Sequence, residues 1–186
     1  METDIRSMFA GVARVKYSIL YFVGVVLVMG LFNRAPLLVD IGNGSSFSLW
    51  ALAVGFWFVL RDFSQRELRH FVFIPMGLGI IVTSFMSQAT AIATTISSSA
   101  SELTDWAVYT FLRDWSFERR ILISSLVSCP IDSFVFFAAF DFFHVIPGVS
   151  VFNWLSILAA SVSKLAAALL VARLYRARGL QQAARV

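Results

Sequence analysis

Cysteine, histidine and charge are the scarce components of this 186-residue chain. Cys129 is the single cysteine and lies inside an apolar run, so no internal disulfide forms and the residue reads as small buried packing. His70 has no Cys or His neighbour at a metal-ligand spacing, and no metal site and no cofactor are assigned. Charged residues make up 14% of the chain, against about 25% in ordinary soluble domains. With 59% hydrophobic residues and a mean hydropathy of +0.79, a water-soluble fold is excluded. A Walker-type Gly-rich loop is absent, so any ATP-driven step belongs to a partner. No small-x-small cleavage site follows the first apolar run, which ends Met29-Gly30-Leu31-Phe32-Asn33-Arg34 and reads as an uncleaved span.

What is present is a succession of apolar runs near the length of about 20 residues that spans a bilayer. They cover residues 16–32, 46–61, 71–87, 90–112, 121–143 and 151–172. The expected fold is an all-α integral membrane protein, a single transmembrane domain of six helices with both termini cytoplasmic. The net charge of +4 does not point to nucleic acid, because the basic residues are dispersed between apolar segments. Lys and Arg accumulate in cytoplasmic loops. With an inside N-terminus that set holds Arg6, Arg14, Lys16, Arg61, Arg66, Arg69, Arg113, Arg119, Arg120, Arg173, Arg176, Arg178 and Arg185, or 13 of the 15 basic residues. Arg34 alone falls outside, and Lys164 lies within the last span. Between the first two runs, Pro36 and Gly42-Asn43-Gly44 stop helix formation and turn the chain back toward the mouth of the bundle.

Four ionisable residues sit deep in these runs: Glu102, Asp105, Asp132 and Lys164. Each costs about 2.5–3.5 kcal/mol at a helix centre, so such residues normally face a bundle interior or a wet cavity. Counting about 1.5 Å per residue from Arg113, Arg120 and Arg173 puts all four roughly 12–18 Å from the cytoplasmic boundary. Three helices thus bring charge to one layer. Thr95, Ser98, Glu102, Asp105 and Tyr109 share one helical face, as do Ser125, Ser128 and Asp132. Pro130 is expected to open the helix beside Asp132. Ala160, Ser161, Lys164, Ala167 and Ala168 make a face of small residues around the lysine. The bland alternative is a structural ion pair with serines that only permit close packing. Three acids against one base exceed what pairing neutralises, which favours a site. Trp106 and Tyr109 are expected to wall it with aromatic surface. Asp62, beside Arg61, reads as an interfacial residue that snorkels to water, and Asp141 and His144 as interfacial residues at the outer boundary.

Three segments together resemble the queuosine-precursor transporter family, also called the vitamin uptake transporter family. They are Gly55 to Gln65 (GFWFVLRDFSQ), Ser101 to Arg113 (SELTDWAVYTFLR) and Asp132 to Phe140 (DSFVFFAAF). With Lys164 the resemblance covers residues 46–172. It implies a six-helix bacterial inner-membrane protein that imports 7-cyano-7-deazaguanine or a related 7-deazaguanine base. It also implies a central substrate site of Glu102, Asp105, Asp132 and Lys164, joined here by Trp106, Tyr109, Ser98 and Ser128. Arg61, Asp62 and Gln65 form a second motif at the inner end of the second span. A carboxylate accepts the two adjacent N–H donors of a guanine-like edge in bidentate fashion. Implied partners are the lipid bilayer and the small-molecule substrate, with a homo-oligomer or an ATPase module as compatible protein partners. The latter belongs to a second reading, the substrate-binding subunit of an ATPase-driven vitamin importer. A third, an intramembrane enzyme using Glu102 and Asp105 as acid and base, lacks a nucleophile-base constellation and is set aside.

Overall fold

A computed structural model describes residues 15–35, 37–42, 44–86, 91–145 and 150–177. Arg6, Arg14, Arg178, Arg185 and the link around 87–90 lie outside the described residues. The chain is helical nearly throughout, as its long apolar stretches with few breakers require. Its helical segments are α1 (Lys16–Arg34), α2 (Trp50–Leu68), α3 (Phe73–Met86), α4 (Ala91–Phe111), α5 (Phe117–Phe142) and α6 (Trp154–Ala177). Three helices among the described residues are long and apolar enough to cross a bilayer: the run Trp50–Met86, then Phe117–Phe142 and Trp154–Ala177. A shorter apolar helix covers Lys16–Phe32. Ala91–Phe111 is long enough, but its serines, threonines and two carboxylates dilute its apolar character.

Helical segments follow one another without a gap from Trp50 to Met86, yet the chain reverses direction within them. A 3-10 turn, Arg69–Val72, joins its halves, and Arg69 takes φ +54°, a left-handed conformation that redirects the chain. The reversal is visible in what each half touches. Glu67 of α2 meets Ser18 at the start of α1, and Leu60 lies at Gly24; Gly79 of α3 meets Val25, and Met86 meets Gly30. So α2 runs against α1 and α3 runs with it. Pro75 falls in the first turn of α3, where its missing N–H removes no intrahelical bond.

Pairing continues in the same alternation. Ser84 of α3 bonds Thr95 of α4, Asp105 of α4 meets Ser128 of α5, and Asp132 of α5 meets Lys164 of α6. Helix α6 then lies beside α2, with Gly55 against Lys164 and Arg66 against Tyr175. One end of the bundle therefore gathers Lys16, Arg66, Arg69, Arg113, Arg119, Arg120, Arg173 and Arg176. The other carries Arg34 with Asp40 and Asp141.

Two of the expected boundaries need correction. The second helix extends to Leu68 rather than stopping at residue 61, because Arg61 is not a loop charge: its side chain is paired inside the protein. The external stretch after α1 is a β-hairpin, β1 (Leu38–Gly42) with β2 (Ser45–Ser48), paired Val39 to Phe47 and Asp40 to Ser46. Gly42 at φ +84° and Gly44 at φ +69° supply the left-handed turn residues. Ser46 N–H donates to Ser156 Oγ, which docks the hairpin on the start of α6. Helix α5 runs unbroken through Pro130, which faces outward, so the expected opening beside Asp132 does not occur.

The distribution of polarity is inverted relative to a soluble protein. Phe85 is 80% exposed, Phe111 86% and Phe142 76%, while Arg61, Asp62, Glu102 and Asp105 are buried. Continuous apolar outer surface of this kind is matched to hydrocarbon rather than water. Two apolar clusters fill part of the interior. Tyr21, Val25 and Met29 pack with Trp57, Val72 and Met76, and Val59 packs with Tyr109, Phe117, Ile121, Ala168 and Tyr175. Between them lie buried hydroxyl and charged side chains together with small apolar residues such as Ala93, Cys129 and Ala160.

Candidate functional site

Helix periodicity brings one polar face of each of α2, α4, α5 and α6 inward. On α6 the small residues Ala160, Ser161, Ala167 and Ala168 are buried with Lys164, leaving room for its long side chain. Lys164 Nζ lies 2.6 Å from Asp132 Oδ2 and donates to Ser133 Oγ at 2.8 Å. Ser101 Oγ donates to the other oxygen of Asp132 at 3.2 Å. Helices α4, α5 and α6 thus close around one ion pair. Its position is fixed by Gly55 of α2: a Cβ there would lie 2.8 Å from Lys164 Cα and from Ala167 Cβ. Only glycine lets α2 approach α6 so closely.

A second ion pair neighbours the first. Arg61 Nη2 lies 2.5 Å from Asp105 Oδ2 and 3.5 Å from Asp62 Oδ1, with all three side chains fully buried. The short contact to Asp105 is an ion pair by distance, but its angle departs from hydrogen-bond geometry. Arg61 also rests over the Phe58 ring, 5.0 Å from its centroid. Asp105 Oδ1 accepts from Ser128 Oγ at 3.0 Å. One helical turn away, Glu102 Oε1 accepts from Tyr21 Oη at 2.5 Å, which ties α1 to the centre.

Asp62 is therefore not an interfacial residue that snorkels. It and Arg61 are core members, buried because the guanidinium is shared by two carboxylates, and the two bases of the site are Arg61 and Lys164. Gln65, one turn further along α2, donates from Nε2 to Thr110 Oγ1 at 3.1 Å and is likewise buried. Tyr109 is buried, with the Arg120 guanidinium 3.7 Å from its ring centroid. Trp106 stands at the edge of the site, half-buried, with its ring 4.9 Å from Phe73 and 5.8 Å from His70. Ser98 contributes its carbonyl, which accepts from Ser101 Oγ.

The serines divide between the two roles weighed for them. Ser97, Ser124 and Ser161 return their hydroxyls to carbonyls on their own helices, which suits close packing. Ser101, Ser128 and Ser133 hold the charged groups. Several buried polar atoms have no hydrogen-bond partner: Arg61 Nε and Nη1, Asp62 Oδ2, Glu102 Oε2, Gln65 Oε1 and the Tyr109 hydroxyl. Buried polar atoms left unpaired cost about 1–3 kcal/mol each, and those named are concentrated on α2 and α4. Among the described residues, no group of three or more His, Cys, Asp or Glu is arranged to hold a metal ion.

Comparison with protein-family models, curated proteins and solved structures returned no match. The site is accordingly read from its own chemistry.

Sequence reasoning missed Tyr21, Ser101, Ser133 and Gly55 as contributors. Ser101 and Ser133 each adjoin a carboxylate it had selected, which is a usable signal. Tyr21 carries no such mark; only the packing of α1 beside α2 and α3 brings its hydroxyl within reach of Glu102.

Proposed function

We propose that the protein is a multi-pass transporter of a bacterial inner membrane that imports a queuosine precursor, 7-cyano-7-deazaguanine or a related 7-deazaguanine base. In this reading α1 to α6 each cross the bilayer. The arginine-rich end and both chain termini face the cytoplasm, in keeping with the accumulation of Lys and Arg on that side.

The observation that carries the proposal is the charged centre of Arg61, Asp105, Glu102, Asp132 and Lys164, supplied by four helices and enclosed by an apolar exterior. A bundle that only had to fold gains little from such groups, since apolar replacements of buried ion pairs are often neutral or stabilising. Their retention is explained by a polar cargo. A guanine-like base offers two adjacent N–H donors, and Glu102 offers Oε2, an acceptor without a protein partner. Trp106, half-buried at the edge of the site, supplies an aromatic ring, and stacking on a base contributes roughly 1–3 kcal/mol in nucleic-acid binders. The three segments that resemble the queuosine-precursor transporters contain Arg61, Asp62, Gln65, Glu102, Asp105 and Asp132, all of them buried.

The test is uptake of labelled 7-cyano- and 7-aminomethyl-7-deazaguanine by cells that depend on this protein. Glu102→Gln and Asp132→Asn are expected to abolish uptake while the protein still inserts; normal uptake by both variants removes the site.

A further inference from the structure

Trp57 carries a polar atom that packing does not use. Its ring belongs to the apolar cluster of Tyr21, Val25, Met29, Val72 and Met76, where it is 6% exposed, and its indole Nε1 has no hydrogen-bond partner. Phenylalanine would fill an apolar cluster without leaving a buried donor unpaired, so packing alone does not account for the indole.

The complement to that donor lies close by. The Trp57 and Tyr21 ring centroids are 6.1 Å apart, and the indole N–H lies within reach of the Tyr21 hydroxyl without completing a hydrogen bond to it. The same hydroxyl donates to Glu102 Oε1, on a side chain 1% exposed whose second oxygen, Oε2, has no partner either. An unused donor from α2 and an unused acceptor from α4 therefore stand beside one hydroxyl from α1. Arg61, one turn further along α2, also has unused donors in Nε and Nη1, but its guanidinium is engaged with Asp105 and Asp62.

We infer, resting on the transport reading above, that Trp57 is a specificity-determining residue, its indole N–H and Glu102 Oε2 together selecting a ring that presents a carbonyl oxygen next to an N–H. That is the lactam edge of a 6-oxo-purine-like base. Glu102 accepts from the ring N–H, and the carbonyl oxygen accepts from Trp57. A 6-amino base would set its own N–H against the indole N–H and turn a ring-nitrogen lone pair toward the carboxylate, so both contacts would become repulsive.

The experiment measures binding to purified full-length protein by equilibrium dialysis with two probes, 7-cyano-7-deazaguanine and its 6-thio analogue. The analogue keeps the N–H donors and exchanges the carbonyl oxygen for sulfur, a weaker acceptor. The unaltered protein should bind the oxo base about fivefold more tightly than the thio base, and Trp57→Phe protein should lose most of that preference. Loss of the preference is the decisive readout, because a change in packing alone would weaken both bases alike. A preference retained in Trp57→Phe protein overturns the inference and gives the carbonyl to another donor, such as Arg61, while the substrate reading stands. Equal affinity of the unaltered protein for the two bases also overturns it, and that measurement requires no variant to fold. Failure of both bases to bind is a different result: it overturns the substrate reading and the inference with it.

Discussion

Replacing Gly55 by alanine puts a single methyl group into the contact between α2 and α6. The added Cβ would sit 2.8 Å from Lys164 Cα and Ala167 Cβ, where ordinary contact begins at 3.4 Å. The Lys164 carbonyl oxygen is nearer still, so the helices must part by more than the ~0.6 Å these contacts require, since backbone cannot swing aside. Overpacking of this kind costs about 1–3 kcal/mol, partly offset by the ~1 kcal/mol that alanine gains over glycine in a helix interior. The net loss is about 0–2 kcal/mol, which lowers the unfolding midpoint by up to roughly 8 °C and leaves Gly55→Ala about 1–3 kcal/mol less stable than an alanine placed in open space. It also draws Lys164 away from an Asp132 oxygen now 2.6 Å distant. Gly77→Ala is the control, because a Cβ there meets nothing within 4 Å, and it should leave the midpoint unchanged or raised. The assay is thermal unfolding of both variants in detergent, paired with uptake. Equal midpoints for the two variants would refute the close approach of α2 and α6 as the device that places the lysine.

Other consequences are testable in the same preparations. Lys164→Met leaves Asp132 buried without its cation and should cost about 3–5 kcal/mol, whereas Lys164→Met combined with Asp132→Leu should recover most of that loss; a double variant no more stable than the single one contradicts the pairing. Glu67 accepts from the Tyr17 and Ser18 backbone N–H groups and from Ser18 Oγ, capping α1 from another helix. Glu67→Ala should speed amide exchange at Tyr17 and Ser18 while exchange within α5 is unaltered. Tyr21→Phe removes the one hydroxyl bonded to Glu102 and should weaken binding of the base without preventing insertion, to be read by dialysis and membrane fractionation.

Much of this arrangement was legible because deep charge is rare and helical spacing is strict. Glu102, Asp105, Asp132 and Lys164 announced themselves by cost alone, and the 3-4 spacing on α4, α5 and α6 predicted faces that are buried except at Thr95, which is half-buried. Arg61 was hidden by the same rule that located the helix ends. A basic residue near the end of an apolar run is usually a loop marker, and nothing local distinguishes one that folds inward onto a carboxylate 44 positions later. Asp62 followed it into the wrong environment. The hairpin at Leu38–Ser48 was read only as a turn, although Val39 and Ile41 alternate with more exposed neighbours. Reversal at Arg69 depends on a positive φ in a residue type that seldom adopts it, which no composition signal reveals.

The most direct test of the account is equilibrium binding of 7-cyano-7-deazaguanine to purified, folded protein in which Glu102 or Asp132 has been made neutral. Saturable binding to the unaltered protein, lost in Glu102→Gln and Asp132→Asn proteins that retain its unfolding midpoint to within a few degrees, is what the charged centre predicts. Binding of undiminished affinity in both variants would contradict it.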